Sequence, residues 1–399
     1  MEKIVVGFLG CGNIGCGVYK LLETYGAQIE ENEGVGFEVR KILVRSLNKS
    51  RAWAIPPTLL TDRPEDVLDN PEIDMVMEFM GGEQPAASYM VRALENGKCV
   101  ITANKMALAT HWTQIVRAAR EHAAGLYYEA SVCGAVPIIR AINGSLQANR
   151  ISSVMGIING TTNYMLDMMQ SEGLDYDAAL SDAQRLGYAE ADPTADVSGL
   201  DALRKIMLAC AVAYDMLPSD GLKNEGIESL RAADVADLKR RGLCCRLVTK
   251  GGRNADGSVY AYVQPVLLTA DAPECAVKKN FNMAKYHGKN SGDIVLMGQG
   301  AGRYPTASAV LRDLECLAIG QREMLKKDCR EVEANNDSCL CRYYVRCPAA
   351  LADEFDCESA EREGDVVRAV VKPISVSAMH EKVRALRRGG AEIFFAELA

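Results

Sequence analysis

The sequence predicts an α/β protein with three parts: a parallel sheet covered by helices, an α+β domain and a small C-terminal module. Short apolar strands alternate with helices up to residue 123, and a glycine-rich turn joins the first strand to the first helix. Near Leu126 the alternation ends, and strands are then separated by a long helical region. Regular alternation of this kind is typical of a parallel sheet buried on both faces.

The predicted elements of the first domain begin with a strand, a glycine turn, a helix and a second strand. They are expected at residues 4–9, 10–15, 16–25 and 36–44, followed by strands at 74–80 and 98–102 and helices at 85–96 and 113–123. After Leu126, strands are expected at 125–131, 151–158 and 259–268, around a helical region at 164–213. This pattern favours an α+β domain.

The end of the chain predicts a polar linker and then a β-β-α-β module. The linker is expected at residues 330–338 and the module elements at 342–347, 366–376, 378–388 and 392–397. The domain bounds that follow are 1–128 (with 303–330 returning) for a cofactor domain, 129–302 for a catalytic, substrate-binding and dimerisation domain, and 339–399 for the module.

Composition excludes several classes of protein. The 399 residues carry a formal net charge of −8 and are 48% hydrophobic, so nothing indicates a nucleic-acid or anionic-membrane partner. No apolar run is long enough for a membrane span, and the first residues lack a signal peptide's pattern. Fourteen scattered cysteines, including Cys339, Cys341 and Cys347, lack the spacing of a zinc site. We expect a cytoplasmic protein in which they act as small apolar residues.

The glycine turn predicts a dinucleotide site. Gly10, Gly12 and Gly15 form G-x-G-x-x-G between a strand and a helix, with Asn13 and Ile14 opening the helix. The glycines permit a tight turn, close approach of a pyrophosphate and close helix–strand packing. The helix N-terminus adds unpaired N–H groups. This is a Rossmann-type pattern; the alternative is a turn that only packs the helix on the strand.

The end of the second strand bears on cofactor choice. Arg45 and Lys49 stand where NAD-preferring sites usually carry a carboxylate. Cations there suit a 2′-phosphate, so NADP is favoured over NAD. The alternative is a solvated loop that happens to be basic.

A long acidic segment, residues 187–205, predicts a site at the mouth of a buried helix. Asp201 and Lys205 are four residues apart and share a helix face, while residues 206–213 show no polar side. Partly desolvated lysine suits general acid–base chemistry, and neighbouring acids suit an ammonium ligand. The alternative is a surface ion pair.

Two further loops are candidates. Thr102 and Lys105 follow a predicted sheet strand at its carboxyl end, where open α/β sheets bind ligands. GIINGTTNY (156–164), which contains Thr161, offers hydroxyl, amide and backbone donors after an apolar strand. The alternatives are a solvated lysine and a simple turn with a helix cap.

Together these segments resemble the homoserine dehydrogenase family. The similarity runs in order through GCGNIG, MEFMGG, GKCVITANK, YEASVCGAVPII, GIINGTTNYML, GYAEADPTADVSGLDALRK and GQGAGRYPTASAVLRDL, over about residues 1–320. The resemblance implies reversible NAD(P)H-dependent reduction of L-aspartate 4-semialdehyde to L-homoserine, on the branch toward threonine and methionine. It also implies a small-molecule substrate and a homodimer or homotetramer.

The resemblance, together with the residue patterns above, also implies residue roles. Lys205 would transfer the proton and Lys105 would orient the substrate or act as a second catalytic lysine. The substrate would contact Glu190, Asp196, Asp201, Thr161 and Gly187, and the cofactor Gly10, Gly12, Asn13, Ile14, Gly15, Arg45, Lys49, Thr102 and Lys105. A sodium ion would be held, mostly through backbone oxygens, by Glu129, Val132, Gly134 and Val136.

The chain departs from the family pattern in its tail. The module is similar to an ACT-type regulatory module only in degenerate form, since residues 348–356 leave little room for a first helix. Threonine feedback through this tail is therefore open. Two other functions remain: a different NAD(P)-dependent amino-acid dehydrogenase, and a non-catalytic cofactor-binding sensor.

Overall fold

The structure, a computed structural model, describes residues 2–320 and 329–399. The chain divides into two compact units. The first contains residues 1–147 and 299–331, and the second contains residues 148–298 and 332–399. Of the segment 303–330 that was expected to return to the cofactor domain, residues 321–328 lie outside the described residues.

The first unit is an alternating α/β arrangement, as the sequence predicts. Its elements in the N-terminal part are β1 (Glu2–Leu9), α1 (Asn13–Glu33), β2 (Val35–Leu43), β3 (Leu60–Thr61), α2 (Glu65–Leu68), β4 (Met75–Glu78), α3 (Ala86–Glu95), β5 (Cys99–Thr102), α4 (Lys105–Glu121), β6 (Leu126–Tyr127) and α5 (Ile138–Ser145). From the later part it gains α11 (Arg303–Ala318), numbered by its place in the chain.

The six strands form one parallel sheet in the order β3-β2-β1-β4-β5-β6. Strand β4, with the sequence MVME, is buried at every position, as expected for a strand covered on both faces. The chain therefore starts in the middle of the sheet, and the turns after β1, β4 and β5 all lie at its carboxyl edge. Ligands of such sheets bind at that edge.

Hydrogen bonds explain why the first unit extends to residue 147. The backbone N–H of Glu129 donates to Asp313 Oδ2 (3.1 Å), and Arg140 pairs with Asp313 Oδ1 (3.2 Å). These bonds join α5 and the segment before it to α11. The first unit thus runs past the sequence-based bound of 128.

The second unit combines helices with a long mixed sheet, and five of its described helices precede the C-terminal part. Its elements are β7 (Ile151–Ile157), α6 (Gly160–Ser171), α7 (Tyr176–Arg185), α8 (Thr194–Val197), α9 (Leu200–Tyr214), β8 (Met216–Asp220), β9 (Lys223–Asn224), α10 (Ala232–Arg240), β10 (Leu243–Arg253), β11 (Val259–Thr269), β12 (Phe281–Gly288) and β13 (Gly292–Gln299). Helix α9 is buried along its full length after Arg204, as its apolar composition predicts.

The C-terminal part continues the same sheet with the last four strands of the chain. Its elements are β14 (Arg330–Glu333), which crosses the division between the units, β15 (Leu340–Pro348), β16 (Cys357–Glu363), β17 (Val366–Ser375), α12 (Val376–Arg388) and β18 (Phe394–Leu398). The sheet order is β13-β12-β7-β10-β11-β18-β15-β17-β16, with β9 beside β11. The module is therefore a direct extension of the second unit's sheet.

Two expectations for the tail need correction. Residues 330–338 are not a plain linker: β14 occupies the first four, and Asn336 is buried, accepting from Ala261 N (3.1 Å) and donating to Gly221 O (2.9 Å). The module also contains a strand that the sequence pattern missed, β16, whose residues are mostly charged and exposed. Only a short 3-10 turn, Ala349–Glu354, stands where a first helix would be.

A buried polar network joins this module to the rest of the sheet. Glu397 on β18 accepts from Gln264 Nε2 (2.9 Å) and pairs with Lys250 Nζ (2.5 Å). Burial lowers the pKa of His380 to about 3, so its neutral ring donates from Nε2 to Gln264 Oε1 (2.9 Å). Because a half-satisfied buried network is costly, these partners fix the module on β11.

No helix among the described residues is long and apolar enough to cross a bilayer.

Candidate active site

The glycine turn of the first unit has the close packing that its sequence predicts. Gly10 adopts φ +96°, and a Cβ there would lie 3.1 Å from the backbone of Phe79 and Met80. A Cβ on Gly15 would lie 2.7 Å from the Gly10 carbonyl oxygen. By contrast, the space next to Gly12 is open to 4 Å. The turn is therefore tight where the helix packs and open where a pyrophosphate would approach.

A cavity of about 1070 Å³ opens over this turn. Its lining includes Gly10, Gly12, Asn13, Arg45 and Lys49. Among the described lining residues, one carboxylate, that of Asp62, stands beside four cationic side chains, those of Arg45, Lys49, Arg51 and Arg303. The size, the glycine cradle and the excess of cations fit a phosphate-rich dinucleotide.

Arg303 is a lining residue that the sequence reasoning did not single out. It is the first residue of α11, and its Nε donates to Asn13 Oδ1 (2.6 Å) at the start of α1. A Cβ on Gly17 would lie 2.7 Å from the Arg303 side chain, so the two helices pack closely there. Ile14, in contrast, faces the apolar core, and neither Ile14 nor Gly15 lines the cavity.

Thr102 and Lys105 lie where the sequence predicts, at the carboxyl end of β5 and the first turn of α4. Thr102 is fully buried and Lys105 is half-buried. Asn104 caps α4 by accepting from Ala107 N (3.1 Å), and it donates to the Gly82 carbonyl (2.8 Å). The cap sets the direction in which α4 leaves the sheet and so places Lys105.

Glu78 holds this edge together. Its carboxylate accepts from Thr102 Oγ1 (2.6 Å) and Met80 N (2.7 Å), and it contacts Asn104 Nδ2 (3.4 Å). Burial raises the pKa of Glu78 above its ordinary value, while these hydrogen bonds act in the opposite direction. Glu78 thus joins the loops after β4 and β5.

In the second unit, Lys205 and Asp201 form a buried ion pair. The Lys205 ammonium lies 2.7 Å from Asp201 Oδ2 and donates to the Ile158 carbonyl (2.6 Å), at the end of β7. Lys205 is 8% exposed and Asp201 is 7% exposed. This excludes the alternative of a solvated surface pair.

Asn159 and Thr161 connect this pair to Asp196. The Asn159 amide donates to Asp196 Oδ1 (2.7 Å) and Asp201 Oδ2 (2.9 Å). The Thr161 hydroxyl lies 3.0 Å from Asp196 Oδ2 and 2.7 Å from the Tyr188 carbonyl. Asn159 also caps α6, so the end of β7, α6 and the starts of α8 and α9 meet at one cluster. We call Asn159, Thr161, Asp196, Asp201 and Lys205 the acid–lysine cluster.

The electrostatics of this cluster are those of crowded carboxylates. Burial raises the pKa of Asp196, and the nearby charge of Asp201 raises it further. Hydrogen bonds from Asn159 and Thr161, and the charge of Lys205, oppose that rise. A ligand ammonium placed beside Asp196 would favour the charged carboxylate.

Two predicted substrate residues lie in the loop before α8. Glu190 is exposed, and within the described part of the chain its carboxylate has no hydrogen bond or ion pair. Gly187 is also exposed and adopts φ +76°, a conformation that glycine accepts readily. The structure therefore gathers Thr161, Asp196, Asp201 and Lys205 into one cluster and leaves Glu190 and Gly187 on a solvent-facing loop.

The segment predicted to hold sodium is built around a buried carboxylate. Glu129 is 1% exposed and accepts from Ile139 N (3.0 Å) and Arg140 N (2.8 Å), which caps α5. Burial raises the pKa of Glu129, opposed by these N–H donors. Its side chain is thus occupied as a helix cap.

The backbone of the same segment leaves room for cation ligands. Among the described residues, the carbonyl oxygens of Val132 and Gly134 accept no hydrogen bond, whereas that of Val136 accepts from Ile138 N (2.8 Å). Gly134 adopts φ +54°, and a Cβ there would lie 2.6 Å from the Gly300 carbonyl. Backbone oxygens of Val132 and Gly134 fit a hard cation; the Glu129 carboxylate does not. No cluster of three or more His, Cys, Asp or Glu in the described part could hold a metal.

Comparisons with known proteins agree with this architecture. The family model described as "Homoserine dehydrogenase" matches residues 137–314, and the one described as "Homoserine dehydrogenase, NAD binding domain" matches residues 10–129. A homoserine dehydrogenase of Bacillus subtilis is 38% identical over 324 residues, covering 81% of this chain and 74% of that protein. One of Corynebacterium glutamicum is 38% identical over 321 residues, covering 78% of this chain and 71% of that protein.

Solved structures extend the match to the tail. The crystal structure of a homoserine dehydrogenase from Thiobacillus denitrificans matches with a TM-score of 0.86 at 30% identity, covering 100% of this chain and 99% of that one. The first unit, with its glycine turn, belongs to the class of NAD(P)-dependent oxidoreductases. Within that class the matches are specific, and the chain belongs to the homoserine dehydrogenase family. This confirms the α/β fold class, with its NAD(P)-binding domain and catalytic domain, and the resemblance; the ACT-like character of the tail and the residue roles remain predictions.

Proposed function

We propose that this chain catalyses the reversible NAD(P)H-dependent reduction of L-aspartate 4-semialdehyde to L-homoserine. The observation that carries the proposal is the buried ion pair of Lys205 and Asp201, joined through Asn159 to Asp196. Buried charges are expensive, and cores rarely retain such a cluster for stability alone. The cluster supplies carboxylates that can bind the substrate's ammonium group and a lysine that can donate a proton to its carbonyl oxygen.

The carboxylates are proposed to hold the substrate's amino group. Asp196 and Asp201 share the Asn159 amide, so their oxygens are fixed in position before substrate arrives. The exposed Glu190 would add a third carboxylate from its loop, and Thr161 would keep Asp196 oriented. Fixed positioning of this kind lowers the entropic cost of reaching the reacting geometry.

Lys205 is proposed to transfer the proton. A bound reduced nicotinamide would supply the hydride for the aldehyde carbon, so the chain's own task is to deliver a proton to the carbonyl oxygen. The Ile158 carbonyl and Asp201 hold the Lys205 ammonium in one orientation, so its charge stabilises the developing alkoxide before the proton moves. Lys105, at the start of α4, would orient the substrate or act as a second catalytic lysine.

NADP is proposed as the preferred cofactor. Arg45 and Lys49 line the cavity of the first unit and would hold the 2′-phosphate, while Gly10, Gly12 and Asn13 would face the pyrophosphate. Replacing both cations, in Arg45→Ala with Lys49→Ala, should weaken NADPH binding about ten- to a hundredfold, since each charged contact contributes on the order of 1 kcal/mol. NADH affinity is the internal control: an equal loss for both cofactors would contradict the preference.

Sodium is proposed to be held by backbone oxygens of Val132 and Gly134, with Val136 and the Glu129 backbone completing the site. The ion would stiffen the turn between β6 and α5. Thermal stability should then rise in sodium chloride relative to potassium chloride at equal ionic strength. Equal stability in the two salts would exclude a selective site.

We also propose that the chain assembles as a homodimer or homotetramer in the cytoplasm. Strand β13 is an edge of the second unit's sheet, and Val295 and Met297 on it are 47% and 59% exposed. An exposed apolar edge strand is suited to pairing with a second copy. Met297→Glu should lower the mass measured by light scattering; an unchanged mass would place the interface elsewhere.

A substrate panel tests the proposed activity. Purified chain should reduce NADP with L-homoserine much faster than with L-serine, L-threonine or L-glutamate. Comparable rates with an amino acid that lacks a terminal hydroxyl would favour a different amino-acid dehydrogenase. Cofactor binding with no turnover on any substrate would favour a sensor.

A further inference from the structure

Two thiols face each other where the glycine turn of the first unit meets helix α1. Cys11 Sγ lies 3.5 Å from Cys16 Sγ, and the Cys16 thiol also contacts the Cys11 carbonyl oxygen (3.6 Å). Both residues line the cavity that opens over the glycine turn. Neither thiol has a part in the proposed reaction.

The geometry allows the two sulfurs to close the remaining gap. Cys16 is buried on helix α1, which fixes its position, whereas Cys11 is half-buried and lies outside any helix or strand. Cys11 stands between Gly10 and Gly12, and the space beside Gly12 is open to 4 Å. A disulfide needs a sulfur–sulfur distance of about 2.05 Å, so a shift of roughly 1.5 Å on the Cys11 side would be enough.

We propose that Cys11 and Cys16 form a redox modification site, and that their disulfide weakens dinucleotide binding. Cys11 lies in the turn on which the pyrophosphate is proposed to lie, and Cys16 lies at the start of α1. Movement of Cys11 toward Cys16 must also move its neighbours Gly10 and Gly12. A turn held by the bond would lose the open approach at Gly12.

The oxidant is a hydroperoxide, and hydrogen peroxide is its simplest form. One thiol attacks the peroxide, whose O–O bond breaks to give a sulfenic acid and one water. The second sulfur then forms the S–S bond and displaces the hydroxyl, which leaves as a second water with the remaining thiol proton. The two thiols lose two electrons and the peroxide gains two.

Burial of the Cys11 thiol affects how fast the disulfide forms and not whether it can form. It raises the pKa of the Cys11 thiol above its ordinary value, and the neighbouring Cys16 raises it further. Since the thiolate is the attacking form, oxidation should be slow at neutral pH and faster in alkaline solution.

Dinucleotide binding and disulfide formation must then disfavour each other by the same factor. If the disulfide weakens NADP binding tenfold, saturating NADP makes the pair tenfold harder to oxidise. For a two-electron couple, that factor raises the reduction potential of the pair by about 30 mV. This reciprocity separates a coupled site from incidental oxidation.

Peptide mapping gives a direct readout. Trypsin releases both cysteines in the single peptide of residues 4–20, which contains no other cysteine. Oxidised chain should yield this peptide two hydrogens lighter and resistant to alkylation. NADPH affinity, followed by its fluorescence, should fall at least tenfold and recover with dithiothreitol.

Variants separate this site from the other cysteines. Cys16→Ala should abolish the effect of peroxide on NADPH affinity, with Cys11→Ala as a second variant should the first fail to fold. Cys357→Ser, which removes another half-buried thiol on β16, should keep the full response. Two results would overturn the proposal: no disulfide in the 4–20 peptide under excess peroxide, or a disulfide that leaves NADPH affinity within twofold. Cofactor binding is measured without turnover, so failure of the proposed reaction would be seen separately.

Discussion

Replacing Lys205 with alanine removes the proposed proton donor and leaves its partner behind. The Lys205 ammonium contacts Asp201 Oδ2 at 2.7 Å and the Ile158 carbonyl at 2.6 Å, and both residues are over nine-tenths buried. The variant therefore loses a positioned acid, and it also leaves the buried Asp201 carboxylate without its cationic partner. The two losses are measured separately, as turnover and as stability.

The expected loss of turnover is large. A positioned general acid contributes about 10²–10⁴-fold, which corresponds to about 3–5 kcal/mol of activation free energy. The stranded Asp201 should cost on the order of 3–5 kcal/mol of stability, as for other buried pairs broken on one side. Lys205→Ala with Asp201→Ala should recover part of that stability but none of the turnover.

The assay is steady-state oxidation of L-homoserine, with NADPH affinity measured alongside. Lys205→Ala should keep its NADPH affinity, because Lys205 is not among the residues that line the cavity of the first unit. Lys285→Ala is the matched control, a lysine of the same unit that pairs with Glu274 (3.4 Å) and is not in the acid–lysine cluster. Turnover of a folded Lys205→Ala variant within tenfold of wild type would refute the reasoning.

Three further results are expected. Asn159→Ala should raise the KM for homoserine and cost about 1 kcal/mol of stability from the lost α6 cap, whereas Asp175→Ala, which removes the α7 cap, should lower thermal stability alone. Asp196→Asn should remove a pH dependence of stability: the raised pKa means that the folded chain holds this proton more tightly, so wild type loses stability as pH rises through the ordinary carboxyl pKa toward the raised value. Glu78→Ala should lower thermal stability and kcat/KM together, because Thr102 and Met80 N lose their acceptor.

Each of these has an outcome that counts against it. An unchanged KM in Asn159→Ala would show that the Asn159 amide has no part in substrate binding. If the melting temperatures of wild type and Asp196→Asn change with pH in the same way between acidic and neutral pH, the raised pKa of Asp196 would be contradicted. Normal kcat/KM in a destabilised Glu78→Ala would make that residue purely structural.

The first unit could be predicted from sequence because its signals are local. Strand–turn–helix order and glycine spacing lie within about thirty residues, and each glycine has a steric reason at its own position. Helix α9 was also predictable, since no side of residues 206–213 is polar. Both signals depend on neighbours along the chain.

What the sequence did not reveal depends on distant partners. Glu78 lies in a run of apolar residues, and its role appears only when Thr102 and Asn104 meet it at the sheet edge. Asn159 was predicted only as part of a donor-rich loop, since its contacts with Asp196 and Asp201 join residues about forty positions apart. The contact of Arg303 with Asn13 joins residues that are 290 positions apart in the sequence.

The tail was misjudged for a different reason. Strand β16 has the sequence CESAERE, which lacks the apolar alternation of a half-buried strand because nearly all of it faces solvent at a sheet edge. Charged residues on an edge strand discourage pairing with other chains. The polar segment before β15 has the composition of a linker. It is nevertheless fixed in place by Asn336, whose side-chain amide is buried and hydrogen-bonded.

Transfer of deuterium from substrate to cofactor tests the central claim most directly. The proposed reaction moves hydride from the hydroxyl-bearing carbon of L-homoserine, C4, to the nicotinamide. With homoserine deuterated at C4, the reduced NADP should carry one deuterium, and Lys205→Ala should form it at least a hundredfold more slowly. Reduced cofactor without label, or no reduction of NADP or NAD by a folded chain, would contradict the account.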